Sequence, residues 1–520
     1  MAFEPQGKGD SDPQVALLLG VVSDLVAELR GGERLTVSLD SDLERELGLD
    51  SLARAELLSR VERVVQGRLP EDALGRVECP RDVLTLLMPV GPATRPAAQG
   101  AEAGSRSGPG IALPAEAGTL VEVLDWHARR TPERAYLHFY SGGQQLDSRS
   151  FGALHEAAGR MAGGLRAQGI GSGQTVALML PTSVDFLAAF LGVMMAGAVP
   201  VPMYPPARRA TLEDHLRRQA GILNNAQAVM LLTSEEVLPL APLLKGLAPA
   251  LRTVCRVADL PKAGAERPRI KAGDIAFLQY TSGSTGDPKG VVLSHANLLA
   301  NIRAMGQAVG ASPADVFVSW LPLYHDMGLI GAWLGSLYYG MNFVLMSPLA
   351  FLSRPLRWLQ AIQRHGGTLS AGPNFAYELC LRRISDEELA GLDLRTWRCA
   401  FNGAEPISPV TLEAFCERFA SCGFRREAMM PVYGLAECAV GLAFPPVNRG
   451  PRVDTVQRRP FSRRGRALPA GPEQTGALRF VACGRPLPGH AIRIVDPAGR
   501  ECPERVEGEV EFKGPSACQG

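Results

Sequence analysis

Apolar residues recur at three- and four-residue spacing near the start of the chain. Val15, Leu18, Val22, Leu25, Val26 and Leu29 fall on one stripe of a helix. A polar loop through Ser38 and Asp40 follows, and Leu52 to Val65 repeats the helical pattern. A short element at Glu71–Leu74 and a last helix at Arg81–Leu87 complete a predicted four-helix bundle over residues 10–90. Pro89 to Gly110 is built mainly of Pro, Ala, Gly, Ser and Thr, which predicts a flexible linker over 91–112. From residue 113 the pattern changes. Short apolar runs at Thr175–Leu180, Val229–Leu232, Asp274–Tyr280 and Gly290–Leu293 read as strands, with helices at Val184–Met195 and from Ala296. This alternation predicts an α/β body with largely parallel layered sheets, over 113–520. Ala491–Val495 and Gly508–Phe512 alternate at period two and predict a small β subdomain at its end.

Two uncharged stretches, Phe186–Met203 and Met327–Ser353, are long enough to span a bilayer. Gly, Pro and Asn342 interrupt them, so each is read as a buried helix followed by a buried strand, and no transmembrane segment is expected. Charge adds a second division. The 520 residues carry a net charge of only +1, which argues against a nucleic-acid binder. Residues 10–90, however, hold 16 acidic and 9 basic side chains, so an acidic head precedes a basic body. The first fourteen residues contain no apolar leader segment, and the ten cysteines form no Cys-x-x-Cys pair. A reduced, cytoplasmic protein is expected.

The sharpest chemical signal is Thr281-Ser282-Gly283-Ser284-Thr285-Gly286-Asp287-Pro288-Lys289-Gly290. Six consecutive residues no larger than Thr let the backbone wrap a polyphosphate with N–H and hydroxyl donors, and Lys289 adds a positive charge. Pro288 before the Lys and a strand after it exclude the helix-opening nucleotide P-loop. A flexible Gly/Ser linker is the plain alternative, but apolar strands flank this loop on both sides.

With Leu278-Gln279-Tyr280 before it and Val291-Val292-Leu293-Ser294-His295 after, the loop resembles the phosphate loop of the adenylate-forming ligases. Asn402-Gly403-Ala404-Glu405-Pro406 resembles the adenine-contacting strand end of that superfamily. Tyr433-Gly434-Leu435-Ala436-Glu437 resembles the segment whose ring packs on adenine and whose Glu helps bind Mg²⁺. Gly484-Arg485-Pro486 through Gly508-Glu509-Val510 resembles the approach to the last strands of the large domain. Alone, Gly403 and Gly434 read as turn glycines and Glu437 as a solvated helix start; four matches in order do not. The resemblance implies ATP and Mg²⁺ as cofactors, with Thr281, Ser282, Gly283, Ser284, Thr285, Gly286 and Lys289 at the phosphates. It places Asn402, Gly403, Ala404, Glu405, Tyr433, Gly434, Leu435 and Ala436 at the adenylate, and Glu437 with Thr285 at the metal.

Trp320-Leu321-Pro322-Leu323-Tyr324-His325-Asp326-Met327-Gly328-Leu329 narrows the resemblance to the fatty-acyl-AMP ligases, implying that His325 and Asp326 gate the acyl and phosphate groups. The segment Pro446–Gly484, with Arg458, Arg459, Arg463, Arg464 and Arg466, stands where that branch carries an insertion that disfavours CoA; a solvated basic loop is the alternative. Trp333, Leu334, Leu337, Tyr338 and Phe375 are candidates to line an acyl tunnel, or simply core. In the head, Gly48-Leu49-Asp50-Ser51-Leu52 resembles the attachment motif of acyl carrier domains, implying 4′-phosphopantetheine on Ser51 and a phosphopantetheinyl transferase as partner. An ordinary Asp-Ser N-cap is the alternative.

The expected function is activation of a fatty acid to acyl-AMP and transfer to a phosphopantetheine thiol on this carrier or a separate one. An acyl-CoA synthetase and a non-catalytic carrier scaffold are the alternatives. The resemblance further implies a second Thr-Gly-Asp segment after the last strands, with a ribose-binding Asp, and a late catalytic Lys; apart from Thr285-Gly286-Asp287 in the loop, no such segment lies in these 520 residues, nor does that Lys. Weak adenylation by this stretch alone is therefore expected.

Overall fold

A computed structural model describes residues 13–29, 36–43, 46–47, 49, 57–58, 60–61, 64, 69, 73, 77–86, 112–141, 144–205, 212–264, 266–281, 289–471 and 474–520. Ser51 and Ser282, Gly283, Ser284, Thr285 and Gly286 lie outside the described residues, as does most of the predicted 91–112 linker.

The first apolar stripe forms a helix over Pro13–Leu29, and Pro80–Leu86 forms another one residue earlier than the spacing predicted. Leu18, Val22, Leu25 and Val26 meet Leu43, Leu47, Leu57, Leu58, Val61 and Val83 in a compact apolar core. Leu349 and Leu352 of the body pack against this core.

The body is built around three groups of strands. The first contains β1 (Ala135–Ser141) and β2 (Gln144–Ser150); β3 (Thr175–Met179), β4 (Val199–Pro202), β5 (Met230–Thr233) and β6 (Thr253–Arg256) follow. Next come the hairpin strands β7 (Ile275–Thr281) and β8 (Lys289–Ser294). The chain then supplies β9 (Val316–Ser319), β10 (Asn342–Met346), β11 (Leu369–Gly372), β12 (Cys399–Asn402) and β13 (Met429–Pro431). A seven-stranded sheet has the order β13-β12-β11-β9-β10-β1-β2, and a four-stranded sheet the order β4-β3-β5-β6. Both are parallel except for the antiparallel edge strand β2. Parallel strands need helical crossovers on their faces, which is why these strands are apolar almost throughout rather than alternating.

Both uncharged stretches are buried. Val184–Met195 is a helix buried over ten of its residues and runs into β4. The second stretch opens as a π-helix over Met327–Leu334, continues as a helix at Gly335–Tyr339 and then enters β10. No helix among the described residues is long and apolar enough to cross a membrane.

After β13 the chain turns antiparallel. β14 (Tyr433–Gly434) and β15 (Gly441–Phe444) pair, and the basic segment forms β16 (Val453–Val456), a helix at Arg458–Arg464 and β17 (Leu478–Val481). β18 (Arg485–Pro486) joins β15, while β19 (Ala491–Val495) pairs with β20 (Glu509–Lys513), the predicted small β subdomain.

Candidate active site

The site begins at the hairpin. Thr281 and Lys289 are the last paired residues of β7 and β8, facing each other across the mouth of the phosphate loop. Behind them Ser294 caps the helix His295–Val309, with its hydroxyl accepting from the Asn297 N–H and the Asn297 side chain reaching back, a complete capping box. His295 is buried and accepts from the Leu120 N–H; desolvation holds its pKa down to about 4, so it is a neutral support group near neutral pH.

One cavity of about 970 Å³ joins the predicted motifs. Its polar end is lined by Thr281, Lys289, His325, Asp326, Glu405 and Glu437, with Tyr433 among the wall residues. Ala404, Gly434, Leu435 and Ala436 also face it. Asn402 and Gly403 stand just behind: Asn402 is fully buried at the end of β12, with both side-chain amide atoms lacking a partner among the described residues. A Cβ on Gly403 would come within 3.0 Å of the Val432 carbonyl. Gly434 is more constrained, because a Cβ there would lie 1.7 Å from the Val440 carbonyl oxygen. Ala404 (φ 68°) and Ala439 (φ 63°) take left-handed backbone, the kind of local strain that collects at ligand sites.

Glu437 sits in a single helical turn at Ala436–Cys438, and its carbonyl accepts the Cys518 N–H at 2.8 Å. Asp326 caps the π-helix, its carboxylate accepting the Met327 N–H at 2.7 Å. Desolvation, with the nearby negative charge of Glu437, raises the Asp326 pKa to about 6, against a smaller lowering by that hydrogen bond. Two carboxylates in mutual repulsion around one cavity form an environment that a divalent cation relieves, and hard oxygen donors suit Mg²⁺. No group of three or more His, Cys, Asp or Glu among the described residues is arranged to hold a metal, so most ligands would have to come from phosphate oxygens and water.

At the apolar end the structure decides between the two readings of the tunnel candidates. Of the five tunnel candidates only Phe375 lines the cavity. Trp333, Leu334, Leu337 and Tyr338 are buried in the body core, with Trp333 edge-on to Phe190. The wall is instead made by Ile302, Met305 and Val309 on one helix and by Gly331, Gly335, Ser336 and Tyr339 opposite. The four core residues are stabilised there by burial, while Gly331 and Gly335 leave open space between the apolar side chains of the wall. Gly331 and Gly335, four residues apart on one helical face, were the available signal. Tyr204 also escaped the sequence reading: its hydroxyl lies 2.6 Å from Nε2 of His325.

Architecture and cavity together define an α/β adenylate-forming ligase. The family description "AMP-binding enzyme" matches residues 124–520, and "Phosphopantetheine attachment site" matches residues 20–87. The chain belongs to the AMP-binding enzyme family, whose cofactors are ATP and Mg²⁺, and it carries a phosphopantetheine-binding head. It is 35% identical over 414 residues to a medium-chain-fatty-acid–[acyl-carrier-protein] ligase, JamA, of Moorena producens, covering 78% of this chain and 70% of that protein. A second such ligase, TtuA of Teredinibacter turnerae, is 34% identical, with 74% of this chain and 65% of that protein covered. A solved structure from a study of fatty acyl-adenylate ligases from E. coli and L. pneumophila superposes with a TM-score of 0.74 at 37% identity, covering 78% of this chain and 73% of its own.

Proposed function

We propose that the chain activates a fatty acid to acyl-AMP and passes it to a phosphopantetheine thiol on a carrier. The observation that carries this reading is the single cavity in which Lys289 and Glu437 share walls with Ile302, Val309 and Gly331. A polar end for a nucleotide and an apolar end for an alkyl chain meet at His325 and Asp326.

In this reading the acyl chain lies between the Ile302–Val309 helix face and Gly331, so that its carboxylate emerges beside His325. Lys289, Thr281 and the loop residues Ser282, Gly283, Ser284, Thr285 and Gly286 hold the phosphates. Fixed donors at that point stabilise charge developing on the α-phosphate as the carboxylate oxygen attacks and pyrophosphate leaves. Tyr433 packs on the adenine, with Asn402, Gly403, Ala404, Glu405, Gly434, Leu435 and Ala436 shaping its slot. Glu437, with Thr285, would hold Mg²⁺, which when bound would supply positive charge against the phosphates. The dry apolar wall keeps water from the mixed anhydride until a thiol arrives. A phosphopantetheine arm supplies that thiol, which displaces AMP to leave a thioester.

The division into a carrier head at 10–90, a linker at 91–112 and an adenylation domain at 113–520 belongs to the same proposal. Ser51 is its attachment point, a phosphopantetheinyl transferase its modifying partner, and the cytoplasm its compartment. A linker as flexible as its composition predicts would give an effective concentration of about millimolar, so that the head could act as acceptor without tight docking.

The test uses the full-length protein in its phosphopantetheinyl form with ATP, Mg²⁺, CoA and fatty acids of several lengths, read by mass spectrometry of small molecules and intact protein. Acyl-AMP with acylated Ser51 and little acyl-CoA is expected. Abundant acyl-CoA would replace the reading with a CoA synthetase, and absence of any adenylate would leave a carrier scaffold.

A further inference from the structure

Tyr204 follows β4 of the four-stranded sheet, yet its hydroxyl reaches the loop after β9 of the seven-stranded sheet, 2.6 Å from Nε2 of His325. Ring contacts hold the same arrangement. The Tyr204 and Tyr324 rings lie 4.1 Å apart, and the His325 ring meets Tyr204 edge-on at 5.2 Å and 87°. Both neighbours are anchored from elsewhere: the Tyr204 carbonyl lies 3.1 Å from Nε2 of His215, and the Tyr324 carbonyl accepts from Nε2 of Gln279 on β7 at 2.9 Å. Elements of both sheets and of the phosphate hairpin therefore converge on one imidazole.

The chemistry of the two groups points to one polarity for this hydrogen bond. Desolvation raises the Tyr204 pKa and lowers that of His325, so both rings are neutral at neutral pH. A phenol O–H is a stronger donor than an imidazole N–H, and an imidazole nitrogen a stronger acceptor than a phenol oxygen. The pairing therefore has Tyr204 donating to Nε2, which leaves the imidazole proton on Nδ1. His325 lines the cavity; Tyr204 does not.

We propose that Tyr204 is a positioning residue for acyl-AMP formation, locking the ring orientation and tautomer of His325 from outside the cavity. This rests on the reading of His325 as the group at the acyl–phosphate junction. Because Tyr204 is 42% exposed and its ring contacts survive loss of the hydroxyl, Tyr204→Phe removes the hydrogen bond without emptying a core position.

The experiment compares wild type, Tyr204→Phe, His325→Ala and the double variant of the full-length protein in fatty-acid-dependent pyrophosphate exchange. Tyr204→Phe is expected to lower kcat about tenfold, with the KM for ATP and the melting temperature unchanged, as suits loss of one directing hydrogen bond. In the His325→Ala background the same substitution is expected to change nothing further. Wild-type kcat in Tyr204→Phe, or a full additional loss in the double variant, would overturn the proposal. A second readout is independent of turnover: ¹⁵N-histidine spectra, with the His325 signal identified by its absence from His325→Ala. Wild type should show the Nδ1–H tautomer, and Tyr204→Phe a shift away from it. An Nε2–H tautomer in wild type refutes the lock, whereas a correct tautomer with fully active His325→Ala refutes both the positioning role and the reading of His325 but leaves acyl-AMP formation standing.

Discussion

The two ends of the cavity are built by opposite rules. The polar end is made of strand ends and tight turns, where the backbone itself dictates residue type. Gly434 has no room for a Cβ, Ala404 and Ala439 sit at positive φ, and Thr281 and Lys289 close a hairpin. The apolar end is made of regular helix faces, where what matters is which side chains are missing. Gly331 has nothing within 4 Å of an added Cβ, whereas a Cβ on Gly306, on the facing helix, would lie 2.1 Å from the Tyr339 ring. Chemistry constrains the first end, and vacancy defines the second.

The largest test of that contrast is Glu437→Gln. If the polar end works through a metal-bridged nucleotide, loss of this charged oxygen ligand should cut acyl-AMP formation by roughly 100-fold or more while leaving the fold intact. Pyrophosphate exchange beside a thermal melt measures both, and a loss under threefold would remove Glu437 from the metal site. Gly434→Ala asks whether the turn is as rigid as it looks. With a Cβ 1.7 Å from the Val440 carbonyl, the β14–β15 turn must open, at a cost of about 3 kcal/mol in urea unfolding. An unchanged midpoint would mean that the turn relaxes freely.

Asp326 marks the border between the two ends. Its pKa is raised from 3.8 to about 6 in the folded state, so folding disfavours its ionisation. The stability this group allows is fully present below pH 3.8 and is lost as pH rises through 6. Asp326→Asn should therefore match wild type near pH 4 and become more stable by about 1–2 kcal/mol above pH 6, in the absence of nucleotide and metal, part of the effect being screened through the open cavity. Denaturant midpoints across that range decide it; a gap independent of pH would rule out this origin. The smallest effect is a change of preference. Gly331→Leu places a side chain in open space, and it should lower kcat/KM for the longest accepted fatty acid about tenfold while leaving short chains within twofold. Equal losses at every length would show that Gly331 does not face the acyl chain.

The same contrast explains what was readable in advance. The phosphate hairpin was legible because a run of small residues between two apolar strands has few uses, and the strands lie within a residue or two of their expected ends. Val184–Met195 and Ala491–Val495 formed as predicted, because their apolar periods are unambiguous. The tunnel wall was not legible. Trp333, Leu334, Leu337 and Tyr338 read equally as lining or as core, and the π-helix with the helix that follows it turns them into the core. Tyr204 was invisible for a different reason: 121 residues separate it from His325, and no local pattern connects them.

Sequence alone thus determined the division into a helical head and an α/β body, the phosphate hairpin, and the chemistry expected of Lys289, Tyr433 and Glu437. The division and the hairpin follow from local periodicity and a run of small residues, whereas the roles expected of Tyr433 and Glu437 are what the resemblance of their motifs implies. Tertiary structure decided that these motifs share one cavity, that Ile302, Met305, Val309, Gly331 and Gly335 line its apolar wall, and that the Tyr204 hydroxyl meets His325. Those facts depend on which faces of distant elements meet, and packing between two sheets settles that only after the whole body has folded.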